Sequence, residues 1–396
     1  MLTISAGETR RRQARVREAL GRRDLGGLCL FSPTQVFYLT GFAFIQTERP
    51  IGLAFPRDGR SVLYVPKLED EHSRLHALVD EVEAYPEYPG RTHPMQRFAA
   101  ICRDLGLGTG KVGCDSDGYG GGYGYRGPKL SELLPDAAVV PSRDLIEEMI
   151  AIKSPEEVAL IRESAKWGNE AHRLLQAYTR PGLTETEVSG RASLDATQTM
   201  IRTLGPEYRP LSWLRAGAHA GYRGQIGKDS ALPHSMTTNA VFRPGDVLVT
   251  GAGAAVGGYG SELERTMVIG TPDDRQRRMF ELMVGALETA FDAIRPGAPC
   301  SAVDRAVTAY YEAHDLMPYW RHHTGHALGM GIHEAPFFDL GDDTPMQPGM
   351  VFSVEPGLYV PGFAGFRHSD TVVVTERGMD MITFYPRGLD ELTIPA

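Results

Sequence analysis

Gly258-Tyr259-Gly260-Ser261-Glu262-Leu263-Glu264-Arg265-Thr266 sets two acids two positions apart in a glycine-rich stretch. In an extended strand, side chains at i and i+2 share a face, so Glu262 and Glu264 are expected on one side. Upstream lies Leu232-Pro233-His234. Downstream come His322-His323-Thr324-Gly325-His326, His333-Glu334, Ser353-Val354-Glu355-Pro356-Gly357 and Gly365-Phe366-Arg367-His368-Ser369-Asp370. Glu355 ends an apolar run, where a carboxylate needs a partner because burying an unpaired charge is costly. His326 and His333 flank glycines whose backbone can approach a ligand closely. Taken singly, each residue has a plain structural reading: Glu264-Arg265 as a solvated pair, His326 as a hydrogen-bonded core histidine. Several acids and histidines among apolar, glycine-rich strands weigh against that reading.

Around these motifs the second half reads as helices followed by a cluster of strands. Ser154-Pro155-Glu156-Glu157 is a helix start: Ser154 caps, Pro155 suits the first helical position and Glu157 stands three after the cap. Further helices are expected from residue 184, over 274–293 and over 302–314, with strands at 246–249, 258–268, 350–356 and 371–375. The first half alternates helix and strand as an α/β layer domain. Helices are expected at 8–21, 69–77 and 97–105, and strands at 27–31, 36–39, 50–55, 61–65, 112–114 and 138–140. Residues 117–128, rich in Gly and Tyr, lack the ending of a phosphate-binding loop and read as a surface loop. The boundary falls between 148 and 149, giving domains 1–148 and 149–396 and an α+β class for the whole.

The chain has 396 residues, 42% of them hydrophobic, and a formal net charge of −9. At roughly 100–200 residues per domain this suits two or three domains. The composition excludes disorder over most of the chain. No run of about 18 apolar residues suggests a membrane span, and the acidic balance argues against nucleic acid as a partner. Four cysteines without a C-x-x-C pair suggest a reduced, cytoplasmic protein.

The order and spacing of the motifs resemble the pita-bread family of creatinase, prolidase, aminopeptidase P and methionine aminopeptidase. The resemblance covers nearly the whole chain. It implies an N-terminal creatinase-like domain, a C-terminal pita-bread catalytic domain, a small-molecule substrate and a homodimer. In the peptidases of this family five residues hold two metal ions. Carried over residue by residue, those positions fall on Gly251, Glu262, His326, Glu355 and Ser369, so two carboxylates are replaced by groups without charge.

The pattern is therefore similar to the metal-independent branch, creatinase and ectoine hydrolase. That likeness implies a hydrolase of a C–N bond in a guanidino, amidino or amino-acid-derived compound, with no cofactor. Its catalytic residues would be His234, Glu264, Glu355 and His326. His234 would move a proton, and the paired carboxylates would grip a guanidinium or amidinium. Arg49, Glu262, His333, Tyr259 and Arg367 would bind substrate, Arg49 from the partner subunit. Glu334-Ala335-Pro336-Phe337 resembles the peptidase branch instead. The alternatives are an Xaa-Pro dipeptidase or aminopeptidase with one divalent metal, zinc or manganese, on Glu262, His326 and Glu355, and an inactive binding protein.

Overall fold

The computed structural model describes residues 2–120, 123–212 and 216–396. Two compact units divide it: residues 4–150, and residues 1–3 together with 151–396.

The N-terminal unit holds helix α1 (Ala6–Arg22), strand β1 (Gly27–Leu30), helix α2 (Pro33–Thr40) and strands β2 (Gly52–Pro56), β3 (Val62–Pro66) and β4 (Glu81–Tyr85). Helix α3 (Asp70–His76) lies between β3 and β4, and α4 (Pro94–Asp104), β5 (Gly110–Cys114), α5 (Leu130–Leu133), β6 (Ala137–Pro141) and α6 (Arg143–Ala151) follow. The strands form one sheet in the order β4-β3-β2-β1-β5-β6. β1 pairs antiparallel with β2 and parallel with β5. One face is covered by α4, whose Met95, Phe98 and Cys102 pack with Cys29, Phe31 and Tyr64 in the core.

One expectation fails here. Residues 36–39, β-branched and aromatic, suggested a strand but lie in α2. Pro33 starts that helix, and Gly41 ends it in the left-handed conformation at φ 72°. Val36, Phe37, Tyr38 and Leu39 are all buried; a helix buried on most sides loses the polar face by which its period is recognised. Strand β4 and helix α6 were missed. Of the expected loop at 117–128, residues 121–122 lie outside the described residues.

The C-terminal unit opens on α7 (Pro155–Tyr178). Ser154 accepts from the Glu157 amide, and the Glu157 carboxylate accepts from the Ser154 amide. α8 (Glu185–Leu204), α9 (Asp274–Ala293) and α10 (Ser301–Ala313) follow in chain order. The strands are β7 (Ala218–Gly221), β8 (Val247–Val249), β9 (Gly251–Ala254), β10 (Leu263–Glu264) and β11 (Thr266–Ile269). After α10 come β12 (Gly325–Ala327), β13 (Glu334–Phe338), β14 (Val351–Val354), β15 (Gly357–Val360), β16 (Ala364–Arg367) and β17 (Ser369–Thr375). The main sheet runs β13-β12-β14-β17-β10-β9-β7.

The stretch 258–268, expected as one strand, is broken into a turn and two short strands. β10 belongs to the main sheet and β11 to a separate one with β8. Arg265 sits at the crossing, fully buried, and donates to the carbonyls of Glu264, Ser369, Tyr385 and Pro386 and to Asp370 Oδ1. The chain can switch sheets there because one guanidinium satisfies carbonyls that a continuous ladder would otherwise pair.

Candidate active site

Sheet register gathers the acidic motifs. His326 on β12 stands opposite Ser353 on β14, and Glu264 on β10 opposite Ser369 on β17. β14 and β17 pair between them, Val354 against Asp370. Glu355 follows β14 directly and Glu262 precedes β10 directly. Residues far apart in sequence thus meet on neighbouring strands.

His326 is the centre of the cluster and is fully buried. Its Nδ1 lies 3.1 Å from the Ala327 carbonyl, which can only accept, so Nδ1 carries a hydrogen. Nε2 then faces Glu355 Oε1 at 3.2 Å and Glu262 Oε2 at 3.9 Å. A neutral ring would direct a lone pair at two carboxylates. The arrangement needs positive charge at Nε2, from a proton or a metal ion. In the bare site burial opposes that charge, but Glu355 and Glu262 outweigh it and raise the imidazole pKa to about 9.

Glu262 Oε1 accepts from Ser353 Oγ at 2.6 Å and Ser369 Oγ at 2.8 Å, leaving Oε2 toward the histidine. Burial pushes the Glu355 carboxyl up, but His326 and Arg367 hold it well below the usual range. One ligand atom from each of Glu262, His326 and Glu355 lies within 4.8 Å of the others. Two carboxylates and an imidazole nitrogen fit a divalent cation with an open position.

A second charged group adjoins. Arg367 Nη2 donates to Glu264 Oε1 at 2.8 Å, its Nε pairs with Glu264 Oε2, and Nε lies 3.8 Å from Glu355 Oε2. Burial would lower this guanidinium's pKa; its contacts with Glu264, Tyr359 and Glu355 outweigh it. Glu264 also accepts from Arg223 Nη2 at 2.7 Å. Burial raises its carboxyl, opposed by the two arginines and reinforced by Glu262 and Glu355. Tyr359 accepts from Arg367 Nη1 at 3.0 Å and meets His322 Nε2 at 2.8 Å. Burial lowers the His322 imidazole to about 4. His333 stacks on His326 with ring centroids 3.8 Å apart, and burial and that neighbour lower its pKa.

Six of the nine expected site residues therefore meet: Glu262, Glu264, His326, His333, Glu355 and Arg367. Three stand apart among the described contacts. His234 is exposed and has no hydrogen bond or ion pair to the cluster. Tyr259 is 1% exposed and donates to Glu157 Oε1 at 2.9 Å, which builds it into the core. Arg49, in the N-terminal unit, pairs with Glu48 and Glu87. Sequence reasoning missed Arg223 and Tyr359. Neither carries a local signal, since what marks them is a buried carboxylate and a buried guanidinium distant in sequence.

Known proteins match both halves of the chain. Residues 159–376 match the model of metallopeptidase family M24, and residues 12–151 the creatinase/prolidase N-terminal domain. The chain belongs to metallopeptidase family M24, with the N-terminal domain of creatinase and prolidase before a pita-bread catalytic domain; it is a hydrolase acting at C–N bonds. It is 26% identical to the Xaa-Pro dipeptidase of Lactobacillus helveticus over 92% of this chain and 94% of the relative. It is 28% identical to the probable dipeptidase PepE of Mycobacterium tuberculosis over 96% and 95%. The crystal structure of dipeptidase PepE from Mycobacterium ulcerans matches over 100% of both chains, with a TM-score of 0.81 and 25% identity.

The expectation of a site without a cofactor is overturned. The matching family is one of metallopeptidases, and Glu262, His326 and Glu355 form a group that could hold a metal ion. The error came from weighing the uncharged Gly251 and Ser369 above the three ligands that remain. The relatives' names also favour the peptidase alternative over a guanidino or amidino substrate. Among the described residues no helix is long and apolar enough to cross a membrane.

Proposed function

We propose that the protein is a dipeptidase, of the Xaa-Pro type, with one divalent cation held by Glu262, His326 and Glu355. The observation that carries this reading is His326 Nε2, buried and aimed between two carboxylates. When bound there, a zinc or manganese ion would supply an activated water and polarise a carbonyl oxygen. The protein's own part is positioning and proton transfer. Ser353 and Ser369 fix the rotamer of Glu262. Arg367 holds Glu264 and leans on Glu355, so the acids keep their places when substrate enters.

His333 is the residue for proton transfer. It is held neutral and stacked on His326, so it can take a proton and return it to the leaving nitrogen. His234 has no described contact with the cluster, so the role expected of it moves to His333. The same reading extends to a cytoplasmic homodimer. The four buried free cysteines suit a reducing compartment.

The test is hydrolysis of Xaa-Pro dipeptides by protein stripped with chelator and then given manganese or zinc. Activity should vanish on stripping and return with the ion. Activity that survives complete stripping would sink the reading. His333→Ala should lower kcat while leaving bound metal in place, and His234→Ala should do less.

A further inference from the structure

His333 stacks on His326 but makes no hydrogen bond of its own among the described residues. Its place is therefore set by the backbone that carries it. That backbone is the loop 328–333 between β12 and β13, which contains Gly329 and Gly331. A glycine-rich segment has many conformations open to it, so this one has to be held. On one side the Leu328 amide donates to the Val351 carbonyl at 3.1 Å, and the Gly260 amide to the Gly329 carbonyl at 2.8 Å. On the other the Gly331 amide donates to Glu334 Oε1 at 2.7 Å.

The second oxygen of that carboxylate belongs to Lys153. Lys153 Nζ donates to Glu334 Oε2 at 2.9 Å, and the two side chains are 1% and 10% exposed. A lysine is almost never buried so deeply unless it is paired, and Glu334 is its one partner among the described residues. The Lys153 backbone is fixed separately. Its amide donates to the Gly349 carbonyl at 3.0 Å, and Ile152 bridges to Met350, just before β14. The side chain thus reaches from beside β14 to the first residue of β13. It passes close under the loop, where a Cβ on Gly329 would stand 2.9 Å from Lys153 Cε. Glu334 pairs with Ala327, the neighbour of His326, across a bulge in the β12–β13 ladder. Taking two charges out of water gains little net stability over an apolar pair of the same size. What this pair supplies is a single geometry for the loop.

We infer that Lys153 is a positioning residue: through Glu334 it locks the loop 328–333 and so keeps His333 over His326. This rests on the proton-transfer role given to His333 above. An apolar side chain at 153 would fill the space without holding the carboxylate. Glu334 would then turn toward water, freeing the Gly331 amide and, with it, the segment that carries His333.

The test combines hydrogen exchange of the loop amides with turnover of Gly-Pro by the manganese-loaded full chain. The variants are Lys153→Met, Glu334→Gln, His333→Ala and the double Lys153→Met with His333→Ala. Glu334→Gln keeps the shape and the acceptor for Gly331 while removing the charge, so it serves if Lys153→Met does not fold. Amides of 328–333 should exchange about tenfold faster in Lys153→Met, the effect of losing one charge-assisted hydrogen bond. Its kcat should fall about 10–100-fold, as for other outer partners of a metal site, with KM and bound manganese unchanged. The double variant should be no slower than His333→Ala alone, because both changes remove the same function. Loop protection equal to wild type in Lys153→Met and Glu334→Gln overturns the inference, and so does a loss in the double variant that adds to that of His333→Ala. If wild type cleaves no Xaa-Pro dipeptide while the variants lose loop protection, the peptidase reading fails and the hold on His333 stands. If dipeptides are cleaved and loop protection is unchanged, the reading stands and the inference fails.

Discussion

Ser369 donates its hydroxyl to Glu262 Oε1 at 2.8 Å, tying the first residue of β17 to the acid just before β10. The same carboxylate oxygen accepts from Ser353. Both donors are neutral, so they orient Glu262 without adding to the charge of the site. With Gly251 also bare, the local negative charge suits one cation and falls short of two.

Metal analysis of protein dialysed against zinc or manganese should therefore find one ion per chain. Losing an outer partner of a metal ligand already costs about 10–100-fold in affinity. Glu262→Gln and His326→Ala remove ligands outright, so each should weaken binding by at least about 100-fold. Two ions per wild-type chain would contradict the charge argument.

Stability should fall on acidification partly through two buried histidines. Burial holds His172 well below its ordinary pKa, and burial followed by the Arg265 charge takes His368 to about 3. Both stay neutral in the fold, while the unfolded chain takes up protons below about 6.5. Their contribution is complete above that pH and is lost as pH drops toward 3. Near pH 5 His368 accounts for about 2 kcal/mol of the loss. Urea unfolding at pH 7 and pH 5 checks this: His172→Gln should show a smaller drop than wild type, and an identical drop would refute it.

Asp370→Asn should destabilise by about 3–5 kcal/mol. Asp370 and Arg265 are both fully buried and pair at 2.9 Å, and Arg387 and Thr383 also donate to the same carboxylate. Removing the charge leaves Arg265 uncompensated at the point where the chain changes sheets. The double variant Arg265→Met with Asp370→Leu should cost less than the sum of the two single changes. Additive losses in equilibrium unfolding would show that the pair is not coupled.

Gly325→Ala should damage the site through the backbone. A Cβ there would stand 2.1 Å from the Ser353 carbonyl, so β12 and β14 must part, and His326 is the next residue. The expected result is a Tm lower by several degrees together with weakened metal binding. Gly251→Ala meets nothing closer than 3.5 Å and should keep the wild-type Tm within a degree or two. Equal tolerance of both changes would rule out the packing argument.

Much of the fold was legible in local signals. The Ser154–Glu157 capping box starts α7, and the motif order around Glu262, His326 and Glu355 resembles one family closely. The missed and misread elements have physical causes. α2 is buried on most sides and shows no polar face. The stretch 258–268 breaks because Arg265 pairs with carbonyls and a carboxylate more than 100 residues away. Tyr259 looked like a ligand-binding aromatic, but its partner is Glu157, 102 positions upstream. The site's capacity for a cation was misjudged because absent carboxylates are visible in a sequence, whereas the direction of a ring nitrogen is not.

By itself the amino-acid order determined the family, the helix starts and the set of acids and histidines available for chemistry. These depend on residue identity and short-range spacing. Only the tertiary structure decided which of them act together. It drew His333 to His326 and Arg367 to Glu264 and Glu355, and showed no contact of Tyr259 or His234 with them among the described residues. It also added Arg223, since strand register and buried ion pairs join residues that no local pattern connects.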